Sequence, residues 1–508
     1  MNPRRRLVVL PTVAGLATTA CLLLVPPASA AVLDGCVTTR SASDFNGDGY
    51  DDAAVGDPYA TVNGRAEAGA VTVMLGGADG RIGAGGRQVI TQNDIGETPE
   101  AGDHFGFDVA LAPAVTDSKC AYLLVGSPGE DLPGAVDAGM VHLAHDLPAL
   151  EGTPDMEAFQ LTQADGRGNV EAGDEFGYAV AIMGVNQESR YRLVVGAPGE
   201  STGSAIDAGS VNIFEVDREP EGLGELRQGG RGPLGAVRLP GTPESGDRFG
   251  SALVLGQVDL PETSGDEVAY GLFIGSPGDT VSGRDGAGSV TVLNEKFESA
   301  SLISQDSAGV PGAAEVGDEF GSSLALSVGS PPRTLAVGAP GEDAGTLANT
   351  GSVTLFSNVG ERFVPRTAFS QATDGVPGAN EAGDRFGFSL TFGRLANTLL
   401  IGIPTEDIGS SVNAGAVQPV RVPGTQSPLQ FLPALTENAS GTAGSVGTDN
   451  QFGRSLGSLS GQSENIQTIS SVFAGSGSVY VLTDGRNLPP RSWVPAAGAG
   501  RFGWSVTN

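Results

Sequence analysis

Apolar residues recur along this chain in short groups that stop at glycine and proline. Runs such as Leu193–Val195 and Leu335–Val337 are wholly apolar and are followed by Gly-x-Pro. Other segments begin at glycine and alternate from a valine, as after Val211. A short apolar run closed by Gly-x-Pro favours a strand buried on both faces, and alternation favours a strand with one buried face. The pattern therefore predicts an all-β protein.

The same succession of segments repeats along the chain. Each repeat opens at a Phe-Gly pair, and these pairs begin at Phe105, Phe176, Phe249, Phe320, Phe386, Phe452 and Phe502. A first strand follows each pair, then a buried apolar run, then a strand that begins at glycine. Segments such as Phe159–Gln163 and Phe369–Gln371 suggest a fourth strand. Regular self-similarity indicates a propeller or a solenoid, and four strands per repeat is the content of one propeller blade.

The two ends of the chain complement each other. Gly56-Asp-Pro58 marks a second strand without a Phe-Gly pair before it, whereas no second-strand motif follows the last Phe-Gly pair at Phe502. If segment 501–508 supplies the first strand of the blade that begins near Asp52, the ring closes and leaves no open sheet edge. We therefore predict one seven-bladed β-propeller of four-stranded antiparallel blades over residues 31–508, closed by the C-terminal strand pairing into the first blade.

The N-terminal residues 1–30 have the pattern of a secretory signal peptide. Three arginines, Arg4 to Arg6, precede an apolar stretch from Ala14 to Val25, and Ala28-Ser-Ala30 provides a small-residue cleavage site. No other apolar run approaches the ~20 residues that a spanning helix needs. The sequence predicts a secreted, extracellular protein without a transmembrane segment.

Composition agrees with a compact exported β protein. Glycine accounts for 78 of 508 residues, which suits many tight turns. The formal net charge of −31 makes nucleic acid and anionic membranes unsuitable partners. The acidity fits either solubility or a cation-binding surface. We expect a monomer.

Two cysteines, Cys36 and Cys120, remain after removal of the signal peptide. A lone pair in an oxidising compartment usually forms a disulfide, and we predict one here. Asn438-Ala-Ser440 is a glycosylation sequon in a host with that machinery.

The most specific chemical motif is the loop from Asp44 to Asp52. Its oxygen donors follow the order that wraps Ca²⁺: Asp44, Asn46, Asp48, the backbone carbonyl of Tyr50, and Asp52. The loop is not an EF-hand, because Ala53 to Val55 has the pattern of a strand. The alternative is a polar turn without a metal. We predict that Ca²⁺ binds here.

A second acidic pattern accompanies the repeats. Glu-x-Gly-Asp precedes five Phe-Gly pairs, and acidic residues also follow the second strands. Both sets belong to loops on one rim of the propeller and are therefore possible cation sites, unless they only build turns. The residues are Glu100, Asp103, Glu130, Asp137, Glu171, Asp174, Glu200, Asp207, Glu244, Asp247, Glu315, Asp318, Glu342, Glu381 and Asp384.

Phe-Gly, Gly-Ala-Pro and the Asp44 to Asp52 loop together resemble the FG-GAP repeats of the integrin α-chain N-terminal propeller. The resemblance covers nearly the whole of residues 31–508. It implies a seven-bladed propeller, calcium in loops between first and second strands, and ligand contact by loops on the opposite face. The Asp-x-Asn-x-Asp-Gly loop occurs here only in blade one.

Two function classes follow. The first is a non-catalytic, calcium-binding adhesion scaffold that holds an extracellular protein or carbohydrate through its rim loops. The alternative is an extracellular propeller hydrolase or lyase acting on polysaccharide or lipid. The three histidines show no metal spacing, and no Gly-x-Ser-x-Gly motif occurs. Because acidic residues recur in five blades without a unique catalytic set, we expect the scaffold and no enzyme activity.

Overall fold

The structure is a computed structural model. The residues it describes are 43–78, 81–112, 121–145, 157–185, 190–217, 219–232, 237–259, 269–294, 299–328, 332–360, 362–393, 397–424, 427–438, 445–460, 465–472, 477–483, 491–493 and 501–507. The predicted signal peptide and the Cys36–Cys120 disulfide lie outside these residues, so both stay predictions.

Seven four-stranded antiparallel sheets make up the described fold. Blade 1 joins both ends of the chain and runs outward through β28 (Ser505–Val506), β1 (Ala53–Asp57), β2 (Ala70–Leu75) and β3 (Gly86–Ile90). A short 3₁₀ turn, Gln92–Ile95, follows it. Blade 2 contains β4 (Val109–Ala112), β5 (Tyr122–Ser127), β6 (Met140–His145) and β7 (Glu157–Leu161). Blade 3 contains β8 (Ala179–Val185), β9 (Arg190–Ala197), β10 (Ser210–Val216) and β11 (Pro220–Leu226).

The remaining blades repeat this order. Blade 4 contains β12 (Ala252–Val258), β13 (Ala269–Ser276), β14 (Ser289–Asn294) and β15 (Ala300–Ile303). Blade 5 contains β16 (Ser323–Leu326), β17 (Thr334–Ala339), β18 (Ser352–Val359) and β19 (Arg362–Phe369). Blade 6 contains β20 (Ser389–Gly393), β21 (Thr398–Ile403), β22 (Ala416–Arg421) and β23 (Gln430–Phe431). Blade 7 contains β24 (Phe452–Ser460), β25 (Asn465–Ser471), β26 (Ser478–Thr483) and β27 (Arg491–Trp493).

The C-terminal strand closes the ring as the sequence predicts. Val506 pairs with Val55 and Ser505 with Gly56, antiparallel. The backbone N–H of Thr507 continues the contact by donating to the carbonyl of Ala54 at 3.1 Å. The Ser505 hydroxyl then reaches blade 2, where it donates to the carbonyl of Gly106 at 3.0 Å. The first and last parts of the chain thus share one blade, and the predicted all-β seven-bladed fold is confirmed.

The phenylalanine of each Phe-Gly pair is a core residue between blades. All seven phenylalanine side chains are at most 1% exposed. Phe176, for example, belongs to one apolar cluster with Val141 of blade 2 and Val195 of blade 3. Burying an aromatic side chain stabilises a fold by about 1.5–3 kcal/mol relative to exposure. The repeated phenylalanines therefore hold neighbouring blades together.

The glycines of the repeat allow neighbouring blades to approach at backbone distance. A Cβ placed on Gly196, in the Gly-x-Pro motif of blade 3, would lie 2.1 Å from the carbonyl oxygen of Gly250 in the next Phe-Gly pair. Gly209, before β10, has a φ of +85° and lies against the backbone of Phe249. The Gly-x-Pro motif of one blade and the Phe-Gly pair of the next are therefore both required for packing at the same blade junction.

Two predicted strand ends differ from the structure. The fourth strand of blade 2 ends at Leu161, because Asp165 accepts hydrogen bonds from the N–H and hydroxyl of Thr162 and forms a turn there. In blade 5 the fourth strand ends at Phe369, because the N–H of Thr373 donates to the carbonyl of Ser370. The sequence pattern predicts these polar residues as part of the strand, whereas in the structure they belong to turns. The described residues contain no helix with the length and apolarity to cross a membrane.

Candidate functional site

The aspartates of the five Glu-x-Gly-Asp motifs stabilise turns. Each is at most 2% exposed, and each accepts a hydrogen bond from the backbone N–H of the glutamate three residues before it. In blade 3, for example, Asp174 Oδ2 lies 2.6 Å from the Glu171 nitrogen. The glutamate side chains themselves are exposed: Glu100, Glu171, Glu244, Glu315 and Glu381. The motif thus divides into a buried turn carboxylate and a solvated one.

The acidic residues after the second strands contact a glutamine that sequence reasoning missed. Gln163 lies just after the fourth strand of blade 2. Its Nε2 donates a hydrogen bond to Oε2 of Glu200 in blade 3, at 2.6 Å. The same bond joins other blade pairs, through Gln92 and Glu130, Gln305 and Glu342, and Gln371 and Glu406. A glutamine two residues after the fourth strand recurs in blades 1 to 5 and is the sequence feature that could have indicated this contact.

The fold places each buried aspartate of a Glu-x-Gly-Asp motif near an acidic residue that follows a second strand. Burial, reinforced by Asp174, raises the pKa of Glu200 to about 7, although Arg227 opposes the shift. Burial likewise raises the pKa of Asp174 to about 6. The neighbouring blades repeat the pairing, with Glu130 near Asp103, Glu342 near Asp318, and Glu406 near Asp384.

Asp137 and Asp207 do not join these pairs. Both have positive φ, 52° and 54°, in the turns before the third strands of their blades. In the described part of the chain, no three His, Cys, Asp or Glu side chains are grouped so as to hold a metal. Cation bridging at the rim stays a prediction.

The junction of blades 1 and 2 differs from the other junctions by a buried histidine. His142 on β6 is fully buried, and its Nε2 lies 3.5 Å from Glu97 Oε2. Burial lowers the pKa of His142 to about 3 and raises the pKa of Glu97 to about 7. The pKa of Glu130 rises to about 8, because burial and the nearby Glu97 both disfavour its charge. This cluster therefore holds several carboxyls that take up protons near neutral pH.

The predicted calcium loop is held by its own polar side chains. Asp44 accepts the N–H groups of Gly47 and Gly49, both at 2.8 Å. Asn46 accepts the N–H of Asp48 at 3.2 Å. Asp52 is fully buried and accepts the N–H groups of Phe45 and Gly76, both at 2.7 Å. The loop thereby leads directly into β1.

The donor types of this loop, carboxylates, an amide and a backbone carbonyl, are those that a hard cation takes, and calcium binding here stays a prediction. Burial raises the pKa values of both Asp44 and Asp52, and the nearby Asp48 raises them further while backbone N–H groups lower them. A bound divalent cation would offset the repulsion among these carboxylates. Oxygen donors in a short loop with mutual repulsion are the chemistry that Ca²⁺ prefers.

A different set of side chains lies where the inner strands of the blades begin. We call it the axial cluster. Its members flank the Phe-Gly pairs or, in the case of Tyr59, the Gly-x-Pro motif of blade 1. They are half-buried, in contrast to the phenylalanines between them. The axial cluster comprises Tyr59, His104, Phe107, Tyr178, Arg248, Phe388, Arg454, Arg501 and Trp504.

Tyr59 occupies a position that most blades restrict to glycine. The equivalent residues are Gly129, Gly199, Gly278 and Gly341, where a Cβ would lie 1.8–1.9 Å from a backbone carbonyl of the preceding Glu-x-Gly-Asp loop. Blade 1 has no such motif before its Phe-Gly pair. Its Asp57 instead accepts the backbone N–H of Arg501 at 2.6 Å. The closing blade therefore has room for a tyrosine.

Aromatic rings of three blades form a continuous surface in the axial cluster. The Trp504 and Phe107 ring centroids are 5.7 Å apart, and those of Phe107 and Tyr178 are 4.8 Å apart. Tyr59 meets Trp504 edge to face at 5.0 Å. Such contacts fix the orientation of the rings. The partly exposed rings thus offer a rigid apolar platform.

Tyr59 and His104 place acid–base groups beside this platform. Their ring centroids are 5.1 Å apart, and His104 Nε2 lies 3.4 Å from Glu67 Oε2. Burial raises the pKa of Tyr59, and Arg501 opposes the shift. Tyrosine and histidine both serve as proton donors and acceptors in enzymes. The sequence analysis missed this site because the residues come from separate repeats.

A sequence model of the FG-GAP repeat family matches residues 40–74. No curated protein matches the chain. Among 115 matching chains of solved structures is the periplasmic gluconolactonase PpgL of Pseudomonas aeruginosa. It is 12% identical, with a TM-score of 0.45, over 89% of this chain and 98% of that chain. At this identity the likeness concerns the fold alone.

The expected function class needs correction. The prediction of a non-catalytic adhesion scaffold without enzyme activity is wrong against this comparison, because the similar propeller is titled as an enzyme. The FG-GAP match over residues 40–74, together with the seven four-stranded blades, supports the identification of this chain as an FG-GAP β-propeller.

Proposed function

We propose that this protein is an extracellular propeller enzyme that cleaves polysaccharide, as a hydrolase or a lyase, and that the axial cluster is its active site. The observation that carries the proposal is the pairing of Tyr59 and His104, 5.1 Å apart, beside the aromatic platform. Acid–base groups next to an apolar, rigid surface are the usual components of a site for a sugar ring with polar edges.

The place of the cluster in the repeat supports an active site. Scaffold residues recur in most blades, as the buried carboxyls and phenylalanines do. Tyr59 and His104 do not recur: the other blades have glycine, threonine or, in blade 7, Phe473 at the first position, and Glu, Arg or Gln at the second. A reaction needs one set of groups in one geometry, and the cluster supplies it by divergence from the repeat.

The aromatic platform favours polysaccharide over lipid. Trp504, Phe107 and Tyr178 are partly exposed, and guanidinium groups lie over the Trp504 and Tyr178 rings. A lipid tail needs a broad apolar surface without such charged groups, whereas a sugar combines apolar ring faces with hydroxyl edges.

Replacing Tyr59 by phenylalanine should lower polysaccharide cleavage by about 10²- to 10⁴-fold, the range for loss of an acid–base group. The phenyl ring keeps the contacts with Trp504 and His104, so binding and folding should persist. Release of reducing ends detects either reaction, and ultraviolet absorbance of an unsaturated product separates the lyase from the hydrolase.

Tyr50→Phe is the matched control, since Tyr50 lies in the calcium loop and contributes only its carbonyl to the predicted ligand set. It should cleave like the wild type. Equal activity of Tyr59→Phe and wild type would refute the assignment of the site. A wild-type protein that cleaves none of a broad panel of neutral and acidic polysaccharides would refute the enzyme.

Two further properties belong to this proposal. The N-terminal pattern of residues 1–30 supports export of the protein. The Asp44 to Asp52 loop supports a bound Ca²⁺ held by Asp44, Asn46, Asp48, Asp52 and the carbonyl of Tyr50. Since the loop leads into β1, the ion would hold in place the strand with which the C-terminus pairs.

Asp48→Ala should abolish one high-affinity calcium site in calorimetric titration. Among the predicted carboxylate ligands Asp48 is the most exposed, because Asp44 and Asp52 are buried. Asp51→Asn in the same loop should titrate like the wild type, as Asp51 lies outside the predicted ligand set. If Asp48→Ala and wild type bind Ca²⁺ equally, the calcium assignment fails.

A further inference from the structure

Arginines gather at the axis of an acidic protein. The sequence has 59 acidic against 28 basic residues. Arg248, Arg385 and Arg501 each precede the phenylalanine of a Phe-Gly pair, and Arg454 follows one. Each is therefore at the start of an inner strand, where the blades converge. Three of them therefore occupy the equivalent position in different blades, and the fourth lies on the other side of a Phe-Gly pair.

Two of these arginines have carboxylate partners from the preceding blade. Arg248 lies 2.9 Å from Glu175, and Arg385 lies 4.0 Å from Glu319. These ion pairs connect neighbouring blades.

Arg454 and Arg501 are stacked on the aromatic platform. The guanidinium carbon of Arg454 lies 4.4 Å from the Trp504 ring centroid and 5.2 Å from that of Phe388. Arg501 lies 4.2 Å from the Tyr59 ring centroid and 5.7 Å from that of Trp504. Stacking fixes the plane of a guanidinium, whereas its N–H groups point along that plane toward acceptors at the edge.

The two guanidinium groups also repel each other. Burial lowers the pKa of Arg454, Tyr59 opposes the shift, and the positive charges of Arg501 and Arg385 reinforce it. An anion bound between Arg454 and Arg501 would be attracted by both positive charges. A carboxylate matches the planar fork of arginine and accepts two parallel hydrogen bonds from it.

We infer that the axial cluster binds a carboxylate-bearing sugar, a uronate unit of an acidic polysaccharide, with Arg454 and Arg501 on the carboxylate and the platform of Trp504 and Phe107 on the sugar ring. The inference rests on the proposed function in one respect, that this glycan is the substrate. The arginines distinguish the uronate from a neutral sugar of the same shape.

The acidic surface around the cluster limits how such a glycan enters. The net charge of −31 repels a long polyanion at low ionic strength. At physiological salt the Debye length is about 8 Å, so contacts at the axis outweigh the distant field. We therefore expect short uronate oligosaccharides to bind, and to bind more tightly as salt rises from low values toward physiological strength.

Calorimetric titration at physiological ionic strength tests the inference. The probes are oligogalacturonate and alginate oligosaccharides, each beside its methyl-esterified form. At least one acid should bind the wild type about ten-fold or more tightly than its ester, since neutralisation removes the charge-assisted bonds. Arg454→Gln should reduce that preference to near unity, and Arg454→Lys should recover only part of it, because lysine lacks the planar fork.

Arg190→Gln is the control for net charge, because Arg190 pairs with Glu215 on the strands of blade 3 away from the axis. It should bind like the wild type, and melting temperatures of all variants show whether they remain folded. Equal affinity for acid and ester, or an acid preference that survives in Arg454→Gln, would overturn the inference. If neutral polysaccharide is cleaved in that case, the proposed enzyme stands without it. If uronates bind but nothing is cleaved, the enzyme fails and the acidic-glycan site stands.

Discussion

Gly196→Ala is expected to destabilise the protein by at least about 3 kcal/mol or to prevent folding, well beyond the effect of a usual substitution. The added methyl group would lie 2.1 Å from the Gly250 carbonyl oxygen and 3.0 Å from its carbon. Neither atom belongs to a side chain that could rotate away. The clash can be relieved only by separating blades 3 and 4, which would open the packing around Phe249.

Gly424→Ala is the matched control. A Cβ at Gly424 meets nothing within 4 Å, and neither glycine has a φ in the left-handed region. The control should therefore be neutral or stabilising by up to about 1 kcal/mol, because alanine restricts the unfolded chain. Guanidinium denaturation of both variants measures the difference. Comparable stability of the two variants would show that the close contact between blades is not a requirement of the fold.

The free energy of unfolding should fall as pH rises from about 5 to about 9 in the presence of a chelator. Burial, the largest cause in every case, raises the pKa values of the carboxyls at the blade junctions. The groups are Asp174, Asp318 and Asp384, raised to about 6, Glu97, Glu200, Asp247, Glu342 and Glu406, raised to about 7, and Glu130, raised to about 8.

The direction follows from proton binding. In the unfolded chain these carboxyls lose their protons near pH 4, whereas in the folded protein they keep them up to about pH 6–8. Their contribution is therefore fully present below about pH 4 and is lost as pH rises through the folded pKa values. Thermal unfolding across this range measures the effect, and a melting temperature that rises toward pH 9 without added cations would contradict it.

Glu130→Gln isolates the largest single contribution. Glutamine keeps the acceptor for Gln92 Nε2 but carries no charge at any pH. Since the pKa of Glu130 is raised from 4.5 to about 8, the variant should be more stable than the wild type near pH 9, on the order of 2–4 kcal/mol, and equal to it below about pH 4. Exposed Glu100→Gln is the control and should change little at either pH.

The same experiment tests the predicted rim cations. A divalent cation binds ionised carboxylates, so Ca²⁺ bound at the junctions would restore stability at high pH where the chelated protein loses it. Restoration in a protein that carries Asp48→Ala would assign the effect to the rim rather than to the blade 1 loop. Without restoration, the buried carboxyls act through hydrogen bonds alone.

The repeat made the fold predictable from sequence. Seven copies of Phe-Gly and six of Gly-x-Pro mark the blade junctions, because a buried aromatic ring lies at all seven junctions and a glycine without space for Cβ lies at six of them. Blade 7 has Ser470 at the position of that glycine. The unmatched halves at Gly56 and Phe502 likewise determined that the ring closes, since pairing them removes two open edges. Local needs of this kind recur at each junction and are therefore written in the sequence.

Tertiary structure alone decided which residues share a site. Glu-x-Gly-Asp places two carboxylates three residues apart, yet only folding buries the aspartate and exposes the glutamate. Tyr59 and Arg501 are more than four hundred residues apart in sequence and are stacked at 4.2 Å, because ring closure places both in one blade. A repeat in the sequence predicts the contacts that every blade makes. Contacts made once, among side chains that depart from the repeat, depend on the closed ring and become visible only when the blades are arranged around their axis.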